Sequence, residues 1–86
     1  RIPFGSLVEL GIIKPGTTIF DNKKKISAKI KADGSIKHAQ TEGSIHKVAA
    51  TILGAESCNG WTYWHCNLDG SVVPIDHLRQ RLVKST

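Results

Sequence analysis

The sequence predicts an α+β fold: a small, mostly antiparallel sheet of three to five strands with about three short helices. Residues 26–32 alternate strictly between apolar and polar side chains and are followed by an Asp-Gly turn, a pattern typical of an antiparallel hairpin. Residues 44–54 instead carry apolar side chains at helical spacing. With 86 residues the chain has room for one hydrophobic core, so residues 1–86 are predicted to form a single domain.

Three segments carry helix signals. Residues 2–11 have a proline in the first turn and end at a glycine. In residues 43–54, Ser44 is a good N-cap and Gly54 follows the last apolar position, so this segment gives the clearest helix of the chain. Residues 74–82 are amphipathic and are expected to close the fold as a helix.

The other apolar and aromatic segments are predicted as strands: residues 17–20, 26–32, the return of the hairpin from residue 36, 61–66 and 72–73. A three-residue loop at Asp33-Gly34-Ser35 places Ile36 opposite Ala32 on the apolar face. The same register places Lys31 opposite Lys37 on the polar face, where like charges repel.

The positive charge of the chain is concentrated in one region. The chain has 12 Lys and Arg against 7 Asp and Glu, a net charge of +5. The whole excess lies in residues 22–47, and a localised basic patch is typical of proteins that bind a phosphate backbone. Lys29, Lys31 and Lys37 converge on one face where the sequence places no carboxylate, and they are predicted to contact phosphates. The other interpretation is an ordinary solvated surface.

A second candidate site is the start of the central helix. The first turn of a helix favours acidic side chains, yet His46 and Lys47 stand there after Ser44. This departure predicts that the helix N-terminus binds an external anion. The alternative is that Ser44 only caps the helix.

The third candidate is the segment Asn59-Gly60-Trp61. An amide and an indole at the tip of a turn can meet a base edge and stack on a base, respectively. The alternative is a simple Asn-Gly turn beside a core tryptophan. One of Trp61 and Trp64 is expected in the core, and Trp61 is predicted to be the ring that faces the ligand.

Enzymatic sites are not apparent in the sequence. Cys58 and Cys66 are interpreted as free thiols, and their spacing to each other and to His46, His65 and His77 matches no usual zinc site. The Gly-rich phosphate loop, HExxH and GxSxG motifs are also missing. No apolar run reaches the ~18 residues of a membrane span. The chain is therefore predicted to act without catalytic residues, metal or membrane, and to be cytoplasmic. The absence of Met and the initial Arg1 lead us to expect a segment of a longer parent polypeptide.

Several blocks stand in the order of one known module: residues 1–11, 14–17, 28–34, 43–46 and 58–65. Together they resemble the restriction-associated adenine methylase accessory domain family. Within it they are most similar to the C-terminal domains of bacterial cell-cycle-regulated DNA adenine methyltransferases. The resemblance covers nearly the whole chain. Residues 22–25 and 38–42 vary in that family, so the number of lysines is particular to this sequence, and Cys66 stands where a larger apolar side chain is expected.

The resemblance implies a DNA-binding appendage of an S-adenosylmethionine-dependent N6-adenine methyltransferase that acts on GANTC-type sites. Such a parent works as a dimer, separates the strands around its target and applies this domain to the non-target strand. Ser44, Asn59 and Trp61 match the DNA-contacting positions of the family. The implied partners are DNA, single-stranded or locally opened, and the catalytic domain of the parent, in a bacterial cytoplasm near the nucleoid. The cofactor, S-adenosylmethionine, belongs to the parent and not to this chain, which lacks the methyltransferase motifs.

A different class of function also fits the sequence. The chain could be a protein interaction or dimerisation module that orients the catalytic domain, with its basic charge incidental. DNA binding is expected to weaken with salt, whereas an apolar interface is nearly indifferent to it.

Overall fold

The computed structural model describes residues 2–84, which form four helices and a six-stranded sheet. The helices are α1 (Phe4–Glu9), α2 (Ile45–Leu53), α3 (Gly60–Tyr63) and α4 (Asp76–Lys84). The strands are β1 (Thr18–Phe20), β2 (Ser27–Ile30), β3 (Ile36–His38), β4 (Thr41–Gly43), β5 (His65–Leu68) and β6 (Ser71–Pro74). The sheet has the order β4-β3-β2-β1-β5-β6, and every neighbouring pair is antiparallel.

The prediction of three to five strands and about three helices is wrong, because the described residues contain six strands and four helices. One missed strand is β4, which pairs with β3 through a tight turn in which Ala39 has a φ of 53°. A left-handed alanine is uncommon, and the turn carries none of the Gly or Asn residues that normally announce a hairpin. The short edge strand was therefore not visible in the sequence.

The predicted strand at residues 61–66 is also wrong in its first half. Asn59 accepts a hydrogen bond from the Trp61 N–H at 3.1 Å and begins the single helical turn α3. Extended backbone starts only at His65. The alternating sequence resembles a strand, but the side-chain cap at Asn59 selects a helical turn.

The β2–β3 hairpin differs from the predicted register by two residues. Ile30, and not Ala32, lies opposite Ile36, while Lys29, and not Lys31, lies opposite Lys37. Strand β2 ends at Ile30, and the turn is closed by a hydrogen bond from the Lys31 N–H to the Ser35 carbonyl at 2.8 Å. Because the shift is even, the side chains that lie within β2 and β3 keep their predicted faces. Ala32, predicted on the apolar face, lies outside β2 and is exposed.

Helix α2 confirms the prediction at both ends. The Ser44 hydroxyl accepts a hydrogen bond from the Lys47 N–H at 3.1 Å, and Gly54 ends the helix with a left-handed φ of 68°. Its apolar side packs into the single core cluster of the described residues. The largest fully buried side chains of that core come from helices, strands and loops alike: Trp64, Leu7, Ile19, Ile30, Ile36, Ile75 and Val48.

The sheet has a buried inner face and an open outer face. Along β2 the buried Ala28 and Ile30 alternate with exposed Ser27 and Lys29, which therefore point away from the core and its helices. Lys37 lies opposite Lys29 on the same outer face. Phe20 lies opposite Ser27 and is also on this face, where the Lys24 ammonium lies 5.3 Å from the centre of its ring. We call the surface formed by Phe20, Lys24, Lys29 and Lys37 the outer lysine face.

The like-charge pair on this face leads to a stability prediction. Replacing Lys29 with Glu converts the Lys29–Lys37 pair into an opposite-charge pair, so Lys29→Glu is expected to raise the free energy of unfolding by about 0.2–1 kcal/mol. Urea denaturation at low salt measures the change. In high salt the gain is expected to shrink, and a loss of stability at low salt would show that the two side chains do not face each other.

Candidate functional site

A cleft with a volume of about 430 Å³ lies in the helical layer. Its walls come from four elements that are distant in sequence, the start of α1, the first turn of α2, the α3 segment and α4. They contribute the side chains of Ile2, Pro3, His46, Asn59, Trp61 and Arg79. Three of the residues predicted from the sequence, His46, Asn59 and Trp61, are thus brought to one place.

His46 joins the first turn of α2 to the backbone of α3. The Gly60 N–H donates a hydrogen bond to His46 Nδ1 at 2.9 Å. A nitrogen that accepts a hydrogen bond carries no hydrogen, so this contact assigns the ring hydrogen to Nε2 in the neutral imidazole. The ring of His46, which lines the cleft, therefore carries its single N–H donor at Nε2.

Gly60 is required by the close packing of these two helices. A Cβ atom at this position would lie 2.6 Å from both the carbonyl carbon and the carbonyl oxygen of Ile45. The same carbonyl oxygen accepts a hydrogen bond from the Trp64 indole N–H at 2.9 Å. The backbone of α3 is therefore held against the first turn of α2 with no space for a side chain between them.

Only the oxygen of the Asn59 side-chain amide is hydrogen-bonded within the described residues. This oxygen caps α3 through the Trp61 N–H, whereas the NH₂ group makes no hydrogen bond within these residues. Asn59 is exposed at the rim of the cleft. The cap fixes the orientation of the amide, so that the two N–H donors remain available to a ligand.

Trp61 does not present a free ring, and this part of the prediction is wrong. Only 6% of the residue is exposed, and its ring contacts Phe4 edge to face with 5.9 Å between ring centres. Trp64, the expected core tryptophan, is fully buried as well. Both tryptophans are buried because the helical turn α3 brings residues three apart to one side, whereas an extended strand would have placed them on opposite faces.

Arg79 covers the indole that was expected to be free. Its guanidinium carbon lies 4.4 Å from the centre of the Trp61 ring, and the group also forms an ion pair with Asp76 one helical turn earlier. Arg79 is not among the site residues predicted from the sequence, although it stands at helical spacing with the apolar Ile75, Leu78 and Leu82. A charged residue on an otherwise apolar stripe was the available signal.

Ser44 and Lys47 lie beside the cleft and not in it. They line a neighbouring shallow groove with Ser57 and Cys58, and His46 lines both cavities. Ser44 and Lys47 are exposed, and the side-chain oxygen of Ser44 is already used as the cap of α2. The two predicted sites, the start of α2 and the Asn59 segment, are therefore continuous through His46.

The chain matches the family model RAMA, Restriction Enzyme Adenine Methylase Associated, over residues 1–86. The chain belongs to the RAMA family. It is also similar to the type II methyltransferase M.HinfI of Haemophilus influenzae, with 29% identity over 79 residues that cover 92% of this chain. Those residues are 22% of the length of M.HinfI, so the chain spans about a fifth of this relative. The closer similarity to cell-cycle-regulated enzymes and a C-terminal position in the parent stay predictions.

The three lysines predicted to contact phosphates do not reach the cleft of this RAMA domain. Lys29 and Lys37 point to the outer face of the sheet, whereas the cleft lies among the helices on the inner side. Lys31 forms an ion pair with Glu42, and this hydrogen-bonded contact raises the pKa of Lys31. The expectation that no carboxylate is available there is therefore wrong, because the unpredicted strand β4 brings Glu42 to this surface.

Among residues 2–84 of the RAMA domain, no group of three or more His, Cys, Asp or Glu side chains is arranged to hold a metal ion. Within the same residues, no helix is long and apolar enough to cross a membrane. Cys66 is buried, which raises the pKa of its thiol, and Cys58 is half-buried.

The contact between Gly60 and Ile45 yields a prediction. Gly60→Ala is expected to lower the free energy of unfolding by roughly 1–3 kcal/mol, because the new methyl group collides with backbone that cannot rotate away. Chemical denaturation followed by tryptophan fluorescence measures both the stability and the environment of Trp61 and Trp64.

Gly5→Ala is the matched control. A Cβ at Gly5 would meet its nearest neighbour, the Asp33 carbonyl oxygen, at an ordinary 3.7 Å, and Gly5 lies within α1. Alanine there is expected to be neutral or stabilising by up to about 1 kcal/mol. Equal effects of the two substitutions would contradict the close packing of α3 on α2.

Proposed function

We propose that this RAMA domain is the non-catalytic DNA-binding part of an S-adenosylmethionine-dependent N6-adenine methyltransferase, and that its cleft holds bases of the non-target strand at GANTC-type sites. One observation carries the proposal. One open cleft is lined by three side chains that carry hydrogen-bond donors and come from separate helical elements, His46, Asn59 and Arg79. The family description and the similarity to a type II methyltransferase support the choice of DNA as the ligand.

The donors suit the edge of an unpaired base. An asparagine amide is a common partner of base edges, and an arginine guanidinium recognises guanine or phosphate with paired donors. Each of the three side chains is anchored through one atom, so little conformational entropy is lost when the other atoms bind. The cleft is also open enough for a planar ring, at about 430 Å³.

The role of Trp61 in the proposal follows from its burial. The Trp61 indole packs against one face of the Arg79 guanidinium. The opposite face of the guanidinium is presented to the DNA, where it can stack on a base. Trp61 therefore acts through Arg79. The adjacent groove at Ser44 and Lys47 is proposed to receive the flanking phosphate, because the exposed helix N-terminus and a lysine both favour an anion.

Asn59→Ser tests the cleft with little disturbance of the fold. Serine is also a good N-cap, so α3 is expected to persist while the amide donors are lost. The loss of a base contact worth about 1–3 kcal/mol predicts roughly a 5- to 150-fold weaker affinity for DNA. Fluorescence anisotropy with labelled GANTC-containing DNA, single-stranded and duplex, measures it at two salt concentrations. Unchanged affinity in a folded Asn59→Ser variant would refute the proposal.

The Arg79→Lys variant tests whether the planar shape of the guanidinium contributes to DNA binding beyond its positive charge. Lysine keeps the positive charge but cannot stack or donate two parallel hydrogen bonds. The proposal predicts that Arg79→Lys weakens binding to DNA about tenfold or more while the salt dependence is preserved, since the charge is unchanged. An Arg79→Lys variant with wild-type affinity would show that only the charge matters.

The competing function, a docking module for the catalytic domain, is favoured by a different surface. Ile12, Leu68, Leu78, Arg81 and Leu82 line a groove of about 420 Å³. Leu10 and Val72 are further exposed apolar side chains of the chain. Binding that is indifferent to salt would favour this function over DNA binding.

A further inference from the structure

The outer face of the sheet is open and basic. The buried side chains of β1, β2 and β3 all point to the opposite, inner face, where they contact the helices. Antiparallel sheets tolerate one solvated face, which normally carries mixed charges or cross-strand pairs of opposite sign. This face departs from that pattern where Lys29 lies opposite Lys37.

Lys29 and Lys37 are direct cross-strand neighbours, and neither has an ion-pair partner among the described residues. Glu42 lies opposite Lys37 on the next strand, but its carboxylate is engaged by Lys31. The fold therefore accepts the repulsion of two adjacent ammonium groups. An anion bound across both lysines would remove that cost.

The β1–β2 turn adds a cation and an aromatic ring to the same surface. Lys24 adopts a left-handed φ of 59° and extends its ammonium over Phe20 at 5.3 Å. The turn is held by Asp21, whose carboxylate accepts hydrogen bonds from the Lys25 N–H at 2.7 Å and the Ile26 N–H at 3.2 Å. His65 on strand β5 lies opposite Phe20 and is half-buried.

We propose that the outer lysine face is a second nucleic-acid surface, which binds phosphates independently of the cleft. Charge complementarity identifies the occupant as a polyanion. The half-buried Phe20 ring beside the lysines favours a nucleic acid over an acidic peptide, since bases stack on aromatic side chains of a sheet. The inference takes its ligand class from the proposed function but stands on different residues.

The cleft and the outer lysine face lie on opposite sides of the sheet. The cleft opens in the helical layer, while Lys29 and Lys37 point from the other side of the sheet, so one short strand cannot contact both at once. One RAMA domain can then hold two segments of nucleic acid, such as the two separated strands of an opened duplex. The lysine face offers phosphate contacts and a ring for stacking but does not read a base edge, so its binding is expected to be indifferent to sequence.

The test uses the 86-residue chain and two oligonucleotides. One is biotinylated and fixed to a sensor, and the second, fluorescently labelled, is added in solution after the chain has bound. Capture of the second oligonucleotide requires two surfaces on one molecule, and light scattering confirms that the chain is monomeric. Separate runs with single-stranded and duplex DNA identify which form each surface prefers.

Lys29→Gln with Lys37→Gln removes two positive charges from the lysine face. Lys14→Glu is the matched control, because it changes the net charge equally at an exposed turn before β1. The proposal predicts that the double variant still binds the sensor but captures at least tenfold less of the second oligonucleotide. The slope of log affinity against log salt for the lysine face is expected to fall by about 1.4–1.8, as for two lost phosphate contacts. Lys14→Glu is expected to behave as the wild type.

Asn59→Ser keeps the two proposals separable. If Asn59→Ser abolishes binding to the sensor and the double variant changes nothing, the lysine face is overturned and the cleft stands. If the double variant abolishes binding and Asn59→Ser changes nothing, the lysine face stands and the proposed function of the cleft fails. If each change weakens one and the same binding step, the two surfaces are not independent and the inference is overturned.

Discussion

The close approach of Gly60 to the Ile45 carbonyl is the constraint on which the functional half of this domain depends. The contact brings the single turn of α3 against the first turn of α2, where the Trp64 indole N–H and the His46 ring provide hydrogen bonds on either side of it. Neither helical segment is long enough to be stable alone, since isolated helices need about 12–15 residues even in favourable sequences. The junction therefore stabilises both segments and, in doing so, positions the walls of the cleft.

The side chains of the cleft share one design, in which the atom that stabilises the fold differs from the atom that faces the ligand. His46 is bound through Nδ1 and leaves Nε2, while Asn59 is bound through its oxygen and leaves its NH₂ group. Arg79 is held by Asp76 and by the face of Trp61. One side chain can therefore stabilise the fold and also contact a ligand. This arrangement also means that alanine substitutions there lower stability and binding together.

Local sequence signals predicted α2 completely, because a cap, an apolar stripe and a terminal glycine all lie within one segment. Features that depend on distant contacts were missed. The edge strand β4 exists through its pairing with β3, Glu42 reaches Lys31 only through that strand, and Arg79 reaches Trp61 only once α4 packs on the core. The candidate residues His46, Asn59 and Trp61 were found from their chemistry, but the exposure of Trp61 was wrong, since burial is decided by the tertiary fold and not by alternation.

The hairpin register shows why the face of a charged residue is more predictable than its partner. A shift of two residues changed the neighbour of Lys37 from Lys31 to Lys29 but left Lys29 and Lys37 on the outer face, because side chains of a strand repeat with a period of two. The charge excess of the sequence therefore located one surface of the domain, and the residue types in the Asn59 segment located another. The sheet separates the two, so the net charge of a small domain does not by itself indicate where its polar cleft lies.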